Sequence, residues 1–309
     1  MAANVKNAKR SAKRTRWSLS MKVFIAIGYF VLLFFAAICV IPFIMMLSGS
    51  LSNEQEVLKY GYSILPRQFS LDAYKALLVY SNQLIRSYTI TIEVTVIGTG
   101  LTLFLTSLTG YVLSRSDFIY RDKVSFFIYF TTLFSGGIVP WYMVITQYLH
   151  LKNSFWVLIV PTLLAPFNIF LVKNFLKAIP DSLVESARID GAKEFYIYWK
   201  IILPLAKPCL ATIALFTALG HWNNWYLSSV FITQPEKYTL QYVLYNIMQN
   251  AQYFEQQARQ SGITTGTQSL PKETVKLAMA LITTGPVVLF YPFAQKYFVE
   301  GLTIGSVKG

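Results

Sequence analysis

The sequence predicts an all-α membrane protein with six transmembrane helices and both termini cytoplasmic. Apolar residues make up 54% of the chain and charged residues only 13%, a composition that soluble domains rarely have. Uncharged runs comparable in length to a bilayer span recur along the chain. In the six-helix topology, 18 Lys and Arg residues fall on the side that holds both termini and 9 on the other. Because basic residues are retained in the cytoplasm, the richer side is predicted to be the inner one.

The first two spans follow a basic tail. Residues 1–22 carry seven basic side chains and no acid, and we expect them not to fold alone. The transmembrane domain is assigned to residues 23–298. Its first span, 23–48, is too long for a signal peptide and more spans follow it. An external loop with short amphipathic helices, 49–86, precedes the second span, 87–113. One face of that helix consists of threonines, which with Gly98 and Gly110 predict close helix packing rather than a substrate path: Thr95, Thr99, Thr102, Thr106 and Thr109.

The third and fourth spans contain helix breakers. The third, 124–151, includes Gly136, Gly137 and Pro140 in its middle, so we expect it to be kinked or broken. Broken helices are tolerated in a membrane where they face protein or a water-filled cavity, so Gly136, Gly137 and the nearby Trp141 are candidates for a translocation path. A kink that serves packing alone is the alternative. The fourth span, 154–172, carries two prolines.

The fifth span, 209–233, contains the sequence HWNNWY. Aromatic rings stack on the apolar faces of sugars and amides bond sugar hydroxyls, so this pattern is typical of a carbohydrate site. Ordinary anchoring at the membrane interface explains the same rings equally well. The candidate substrate residues are Trp222, Asn223, Asn224 and Trp225. A polar external segment, 234–273, a sixth span, 277–293, and a cytoplasmic tail, 299–309, complete the chain.

A cytoplasmic loop, 173–207, separates the fourth and fifth spans. Ser182 and Glu185 have the spacing of a capping box, which predicts a helix that begins at Ser182 and is ended by Gly191. A second helix is predicted from Lys193 to Ile202, ended by Pro204. Two short helices joined by a glycine would form a rigid elbow with exposed apolar side chains. Such a surface calls for a partner protein or, alternatively, for the lipid surface.

The residues of this loop resemble a family motif. Glu185-Ser186-Ala187, two residues, Asp190-Gly191-Ala192, eight residues and Ile201-Ile202-Leu203-Pro204 are similar to the cytoplasmic loop of the permease subunits of bacterial ATP-binding-cassette (ABC) importers, whose pattern begins Glu-Ala-Ala. The third-span region, HWNNWY and the ending GLTIGSVKG resemble the carbohydrate-importing branch, the relatives of maltose-importer permeases, and within it the group associated with complex oligosaccharides. In that branch the fifth-span motif more often reads Trp-Asn-Glu-Phe, whereas this chain has Trp222-Asn223-Asn224-Trp225, so the motif does not indicate which sugar is carried.

The resemblance implies a type I ABC importer permease fold in the bacterial cytoplasmic (inner) membrane. It also implies a heterodimer with a second homologous permease, two copies of a cytoplasmic ATPase that uses ATP and magnesium, and an extracytoplasmic solute-binding protein that delivers carbohydrate. By the same resemblance, the residues that couple to the ATPase are Glu185, Ser186, Ala187, Asp190, Gly191 and Ala192. Gly301, Leu302 and Gly309 of the tail are implied to reach toward the ATPase dimer.

The sequence itself indicates no enzyme. No P-loop pattern occurs, so no cofactor is expected to bind this chain, and its two cysteines lie in or beside apolar runs without metal-site spacing. No catalytic or metal-binding residue is predicted. The net charge of +13 follows the membrane sides rather than a folded polar surface, which argues against nucleic acid. Two rivals remain: a membrane-embedded transferase, which would need convergent acids near the membrane, and a permease of the same superfamily for a solute other than sugar.

Overall fold

The computed structural model describes residues 18–79, 81–249 and 272–306, which form helices and no β-strand. Ser52 and Phe69 make an isolated bridge. The α-helices are α1 (Leu19–Ser50), α2 (Glu54–Tyr60), α3 (Asp72–Val79), α4 (Ser81–Ser114), α5 (Arg121–Leu133), α6 (Ile138–Met143), α7 (Pro166–Leu176), α8 (Asp181–Ile189), α9 (Glu194–Ile197), α10 (Leu203–Leu205), α11 (Lys207–Trp222), α12 (Tyr226–Phe231), α13 (240–249) and α14 (Lys272–Ser306). Short 3₁₀ turns occupy Phe155–Leu158, Val160–Thr162 and Pro235–Lys237, and π-helical segments occupy Val144–Tyr148 and Tyr198–Ile202.

The helices are apolar enough to cross a membrane in several places. Within the described residues, α1 and α4 each meet the length and hydropathy of a span, and up to five spans result if each of three bent helix pairs is one. One bent pair is α5 with Ile138–Tyr148, at 116°. The predicted break in the third span is therefore confirmed, and Gly137, with φ of 81°, allows it because left-handed backbone is inexpensive only for glycine.

Helix α4 lies at the centre and packs against α7 and α11. Thr102 and Thr106 on its threonine face are buried. A β-carbon on Gly98 would lie 2.6 Å from His221 Nε2 of α11, and one on Gly110 would lie 2.6 Å from Val172 Cγ1 of α7. Small residues thus allow the close approach of these helices, as the sequence predicted.

Two elements extend past their predicted limits, and a third ends before its limit. Helix α4 begins at Ser81, inside the segment predicted as the external loop 49–86. Helix α14 runs to Ser306, so the described part of the tail predicted at 299–309 is helical. The fifth span was predicted as one helix through residue 233, which is wrong: α11 ends at Trp222 and the chain resumes as α12 at Tyr226.

Replacing Gly110 with valine should destabilise the contact between α4 and α7. The new side chain would overlap Val172 and approach the backbone nitrogen of Lys173, which cannot move like a side-chain end. We expect a loss of about 1 to 3 kcal/mol in unfolding free energy, measured by thermal unfolding in detergent. Gly100→Val on the same helix is the control, because a β-carbon at Gly100 would have no neighbouring atom within 4 Å. Equal unfolding temperatures for the two variants would contradict this packing.

Candidate functional site

The loop between α7 and α11 folds as an elbow, which we define as residues 181–205. Its first helix, α8, begins at Asp181 directly after Pro180, which occupies the N-cap position without a side-chain cap bond. The predicted capping box of Ser182 and Glu185 is therefore wrong. Ser182 lies inside the first turn, where its carbonyl accepts a hydrogen bond from Ser186 Oγ at 2.8 Å. The ring of Pro180 restricts its φ to roughly −65°. The observed φ is −59°, so the proline is already in the conformation of the N-cap.

Helix α8 ends at the predicted glycine. Gly191 has φ of 80°, and its N–H donates to the carbonyl of Arg188 at 3.0 Å. The N–H of Ala192 donates to the carbonyl of Ala187 at 2.9 Å. These two bonds form a Schellman motif, which satisfies the last carbonyls of the helix and fixes the direction of the chain that leaves it. The predicted role of Gly191 as a helix stop is confirmed.

The second half of the elbow is longer than predicted. Helix α9 passes into the π-helical segment Tyr198–Ile202 and then into α10, so the helix continues through Pro204 to Leu205. The prediction that Pro204 ends this helix is wrong. At the junction with α11 the chain bends by 78°. The elbow therefore joins α11 through a single residue, Ala206, rather than through a loop, and this junction defines the angle between them.

The elbow has an inner and an outer face. Val184 and Ala187 point inward and are buried with Ile197 and Tyr198 in one apolar cluster that also includes residues of α4, α7 and α11. Glu185, Ser186 and Asp190 are exposed, and Ala192 is half-buried. Ile189 is 86% exposed and Phe195 is 64% exposed. The predicted coupling residues thus divide, with Ala187 packing the elbow onto the membrane helices and the others lying on or near the outer face.

A charged network that the sequence analysis missed connects α8 to α9 and to the end of α4. Arg188 Nη2 lies 2.7 Å from Asp117 Oδ2 in the α4–α5 connection, and Arg188 Nε donates to Glu194 Oε1 at 2.7 Å. Glu194 Oε2 accepts a hydrogen bond from Tyr111 Oη of α4 at 3.0 Å. We call Arg188, Asp117, Glu194 and Tyr111 the Arg188 network.

Hydrogen bonds keep the Asp117 carboxylate of this network ionised at physiological pH. Hydrogen bonds from Arg188 and then Arg115 lower the pKa of Asp117 to about 2. Since the folded pKa is depressed below the ordinary value of about 3.9, the stabilisation is complete above that ordinary value and is lost only as pH falls through the folded one. The ion pair between Asp117 and Arg188 is therefore fully formed at neutral pH.

Aromatic side chains from three parts of the chain meet in a second cluster, which we call the aromatic patch. Trp225 stacks on Tyr245 with ring centroids 4.3 Å apart, and Tyr245 is stacked with Tyr242 at 6.3 Å. Tyr226 stacks with Trp141 at 6.2 Å. The rings of Trp225 and Tyr226 are perpendicular, so the two stacks meet at a corner. Both corner rings remain exposed, by 38% and 41%.

The predicted substrate residues do not all reach this patch. Trp222 is buried, and its Nε1 donates to the carbonyl of Thr283 in α14 at 3.1 Å. Asn224 Oδ1 accepts from the N–H of Leu227 at 3.0 Å and so satisfies a backbone amide in the first turn of α12. Asn223 is exposed and its Oδ1 accepts from Gln241 Nε2 at 3.0 Å. Trp222 and Asn224 therefore have structural roles, whereas Trp225 and Asn223 are exposed at the surface.

Two further groups of predicted residues lie elsewhere. Gly136 and Gly137 are exposed at the turn before α6, which carries Trp141 into the aromatic patch. Gly301 and Leu302 lie in the last part of α14, and Gly309 lies outside the described residues. Among the residues with described positions, no group of three or more His, Cys, Asp or Glu side chains is placed to hold a metal ion.

Comparison with known proteins decides the family. Residues 17–304 match the family described as binding-protein-dependent transport system inner membrane component. The chain belongs to this family. It is thus a permease component of ABC importers, and its helical fold is the type I importer permease fold, as the loop motif predicted.

Relatives and a solved structure agree with this assignment. The permease is 40% identical over 289 residues to the polygalacturonan/rhamnogalacturonan transport system permease protein YtcP of Bacillus subtilis, covering 93% of this chain and 99% of that protein. It is 38% identical to protein LplC of the same organism, covering 88% and 90%. A chain in the crystal structure of a bacterial ABC transporter involved in the import of the acidic polysaccharide alginate superposes with a TM-score of 0.78 at 31% identity, covering 91% and 99%.

Proposed function

We propose that this permease forms the membrane path of an importer for acidic oligosaccharides. It would pair with a second homologous permease, two copies of a cytoplasmic ATPase that bind ATP and magnesium, and an extracytoplasmic solute-binding protein. In the bacterial inner membrane it would cross six times with both termini cytoplasmic. The five spans that the described helices can supply, together with the uncharged run 277–293 within α14, support this count. The excess of basic residues on the inner segments supports the orientation.

The elbow is proposed to be the docking element for the ATPase. Its outer face combines Glu185 and Asp190 with exposed apolar side chains, which a partner protein would cover. Its inner face is packed into the same apolar cluster as α4, α7 and α11. A rigid body with one face for a partner and one face in the membrane core is suited to passing a domain movement into the spans.

The aromatic patch is proposed to be the part of the path that touches the sugar. The observation that carries this proposal is the pair of exposed, perpendicular rings of Trp225 and Tyr226, each supported from behind by another ring. Supported rings offer flat apolar faces to pyranose rings at little cost in side-chain entropy. The exposed amide of Asn223 can bond sugar hydroxyls beside them. This arrangement favours a sugar over the amino acid, ion or peptide of the rival hypothesis.

The acidic character of the substrate is supported by similarity. A relative of this chain is named for polygalacturonan and rhamnogalacturonan, and a structural neighbour belongs to an alginate importer. Galacturonan and alginate are both polymers of uronic acids. The positive charge of the chain does not itself support this point, because most of it belongs to the inner segments.

Substrate-stimulated ATPase activity of the reconstituted complex tests the proposal. The complex would be purified with its partner permease, ATPase and binding protein and placed in lipid vesicles. We expect oligogalacturonates to stimulate ATP hydrolysis severalfold and neutral maltooligosaccharides of equal length to have no effect. Stimulation by neutral sugars alone would refute the acidic specificity, and stimulation by amino acids or peptides alone would refute carbohydrate import.

A further inference from the structure

We infer that Arg188 is a positioning residue that ties α8 to α4, so that movement of the elbow reaches the centre of the membrane domain. This inference rests on the proposed function of the elbow as the ATPase docking element. Arg188 is not one of the motif residues Glu185, Ser186, Ala187, Asp190, Gly191 and Ala192. The elements it connects are α8, α9, the α4–α5 connection and the cytoplasmic end of α4.

The geometry supports a link between separate elements. One guanidinium bonds Asp117 and Glu194, which lie 71 residues before and 6 residues after it. The planar fork of arginine can hold two carboxylates in fixed directions, which the point charge of lysine cannot. Glu194 passes the link to α4 through Tyr111. One turn away on α4, Ser107 Oγ lies 2.6 Å from Tyr198 Oη of the elbow, so α4 and the elbow are joined at two levels.

The network is better suited to transmitting force than to stabilising the fold. The side chains of Arg188, Asp117 and Glu194 are 41%, 46% and 54% exposed. Exposed ion pairs contribute little to folding stability, so the buried apolar cluster holds the elbow in the folded state. A variant that lacks the network should therefore fold and assemble. Its elbow would remain attached by apolar contacts, which resist sliding less than directional hydrogen bonds do.

The Arg188 network ends on α4, and the packing of α4 explains how elbow movement would spread into the membrane domain. Helix α4 packs on both α7 and α11 through glycine contacts, so a displacement at its cytoplasmic end moves a closely packed unit. Arg115 donates to both carboxylate oxygens of Asp117 at 3.3 Å and is itself only 12% exposed. Asp117, which binds Arg188 from outside the elbow, is therefore also bound by the residue that directly follows α4.

The experiment measures sugar transported per ATP hydrolysed by the reconstituted complex. For Arg188→Gln we expect normal assembly with the ATPase and a coupling ratio about tenfold lower. Asp117→Asn and Tyr111→Phe should lower the ratio in the same direction, and Tyr111→Phe keeps the ring that packs on Tyr198. The double variant Asp117→Asn with Arg188→Gln should be no worse than Arg188→Gln alone, because both remove one link. Arg188→Lys should be intermediate.

Controls separate this inference from the proposed docking role. Arg121→Gln also removes a cation, but the ion-pair partner of Arg121 is its sequence neighbour Asp122, so no link between separate elements is lost. We expect this variant to transport as much sugar per ATP hydrolysed as the unchanged protein. A normal ratio in Arg188→Gln and Tyr111→Phe would overturn the positioning role, as would additive losses in the double variant. If Glu185→Lys abolishes uptake while those variants remain normal, docking stands and the Arg188 link fails. If Glu185→Lys is also normal, the docking proposal itself fails.

Discussion

Reversing the charge of Glu185 should abolish sugar uptake while leaving the permease in the membrane. The side chain is exposed on the outer face of α8, so Glu185→Lys disturbs no internal contact of the chain's core. In a docked complex, an unmatched charge in a partly dry contact costs about 3 to 5 kcal/mol. That loss corresponds to at least a hundredfold weaker docking, at about 1.4 kcal/mol per tenfold. Uptake of labelled oligosaccharide and copurification of the ATPase would be measured together.

The control for Glu185→Lys is a glutamate-to-lysine change at an exposed position outside the elbow. Glu236 is an exposed glutamate in the 3₁₀ turn Pro235–Lys237, outside the elbow, and Glu236→Lys should leave uptake and copurification intact. Wild-type uptake by Glu185→Lys would contradict the docking role of the elbow. Loss of uptake together with loss of the protein from the membrane would place the defect in folding and would equally count against it.

Truncating Trp225 should weaken substrate handling without affecting assembly. The variant Trp225→Ala removes an exposed ring face and one of the two rings that stack on Tyr245. The apolar contact of one large side chain is worth about 1.5 to 3 kcal/mol, which predicts a loss of roughly ten- to a hundredfold in substrate-stimulated ATPase activity at low sugar concentration. Trp225→Tyr retains a ring and should recover most of the activity.

Trp156→Ala distinguishes a sugar contact from a membrane anchor. Trp156 is 47% exposed and belongs to a 3₁₀ turn outside the aromatic patch. If exposed tryptophans act only as interface anchors, both alanine variants should reduce the amount of protein in the membrane and neither should alter sugar dependence. A selective change in sugar dependence for Trp225→Ala is the result that supports the patch as part of the path.

The sequence predicted those features that depend on the conformational freedom or the size of single residues, such as a helix end, a sharp turn and a close helix contact. Gly191 ends α8 because a left-handed residue is needed there, and Gly137 permits the turn between α5 and α6 for the same reason. The spacing of small residues on α4 predicted close packing, which depends on side-chain size alone. These signals needed no knowledge of distant residues.

The remaining features depend on tertiary contacts or on competing local signals. Ser182 has capping-box spacing, yet the N-cap is Pro180, two positions earlier than that pattern requires. Pro204 is tolerated inside a helix that a propensity argument would end. The pairing of Arg188 with Asp117 joins residues 71 positions apart, and no pattern in one sequence indicates it. The side of α11 on which Trp222 is buried is likewise decided by its neighbour α14.

Cross-linking from a single cysteine on the elbow tests the central claim most directly. Asp190→Cys would be introduced at the exposed end of α8 in a chain whose exposed Cys39 is replaced by alanine. The account predicts that this cysteine cross-links to the ATPase subunit and resists a membrane-impermeant maleimide added outside intact cells. Labelling from outside, or a complex that assembles without any cross-link from this position to the ATPase, would contradict it.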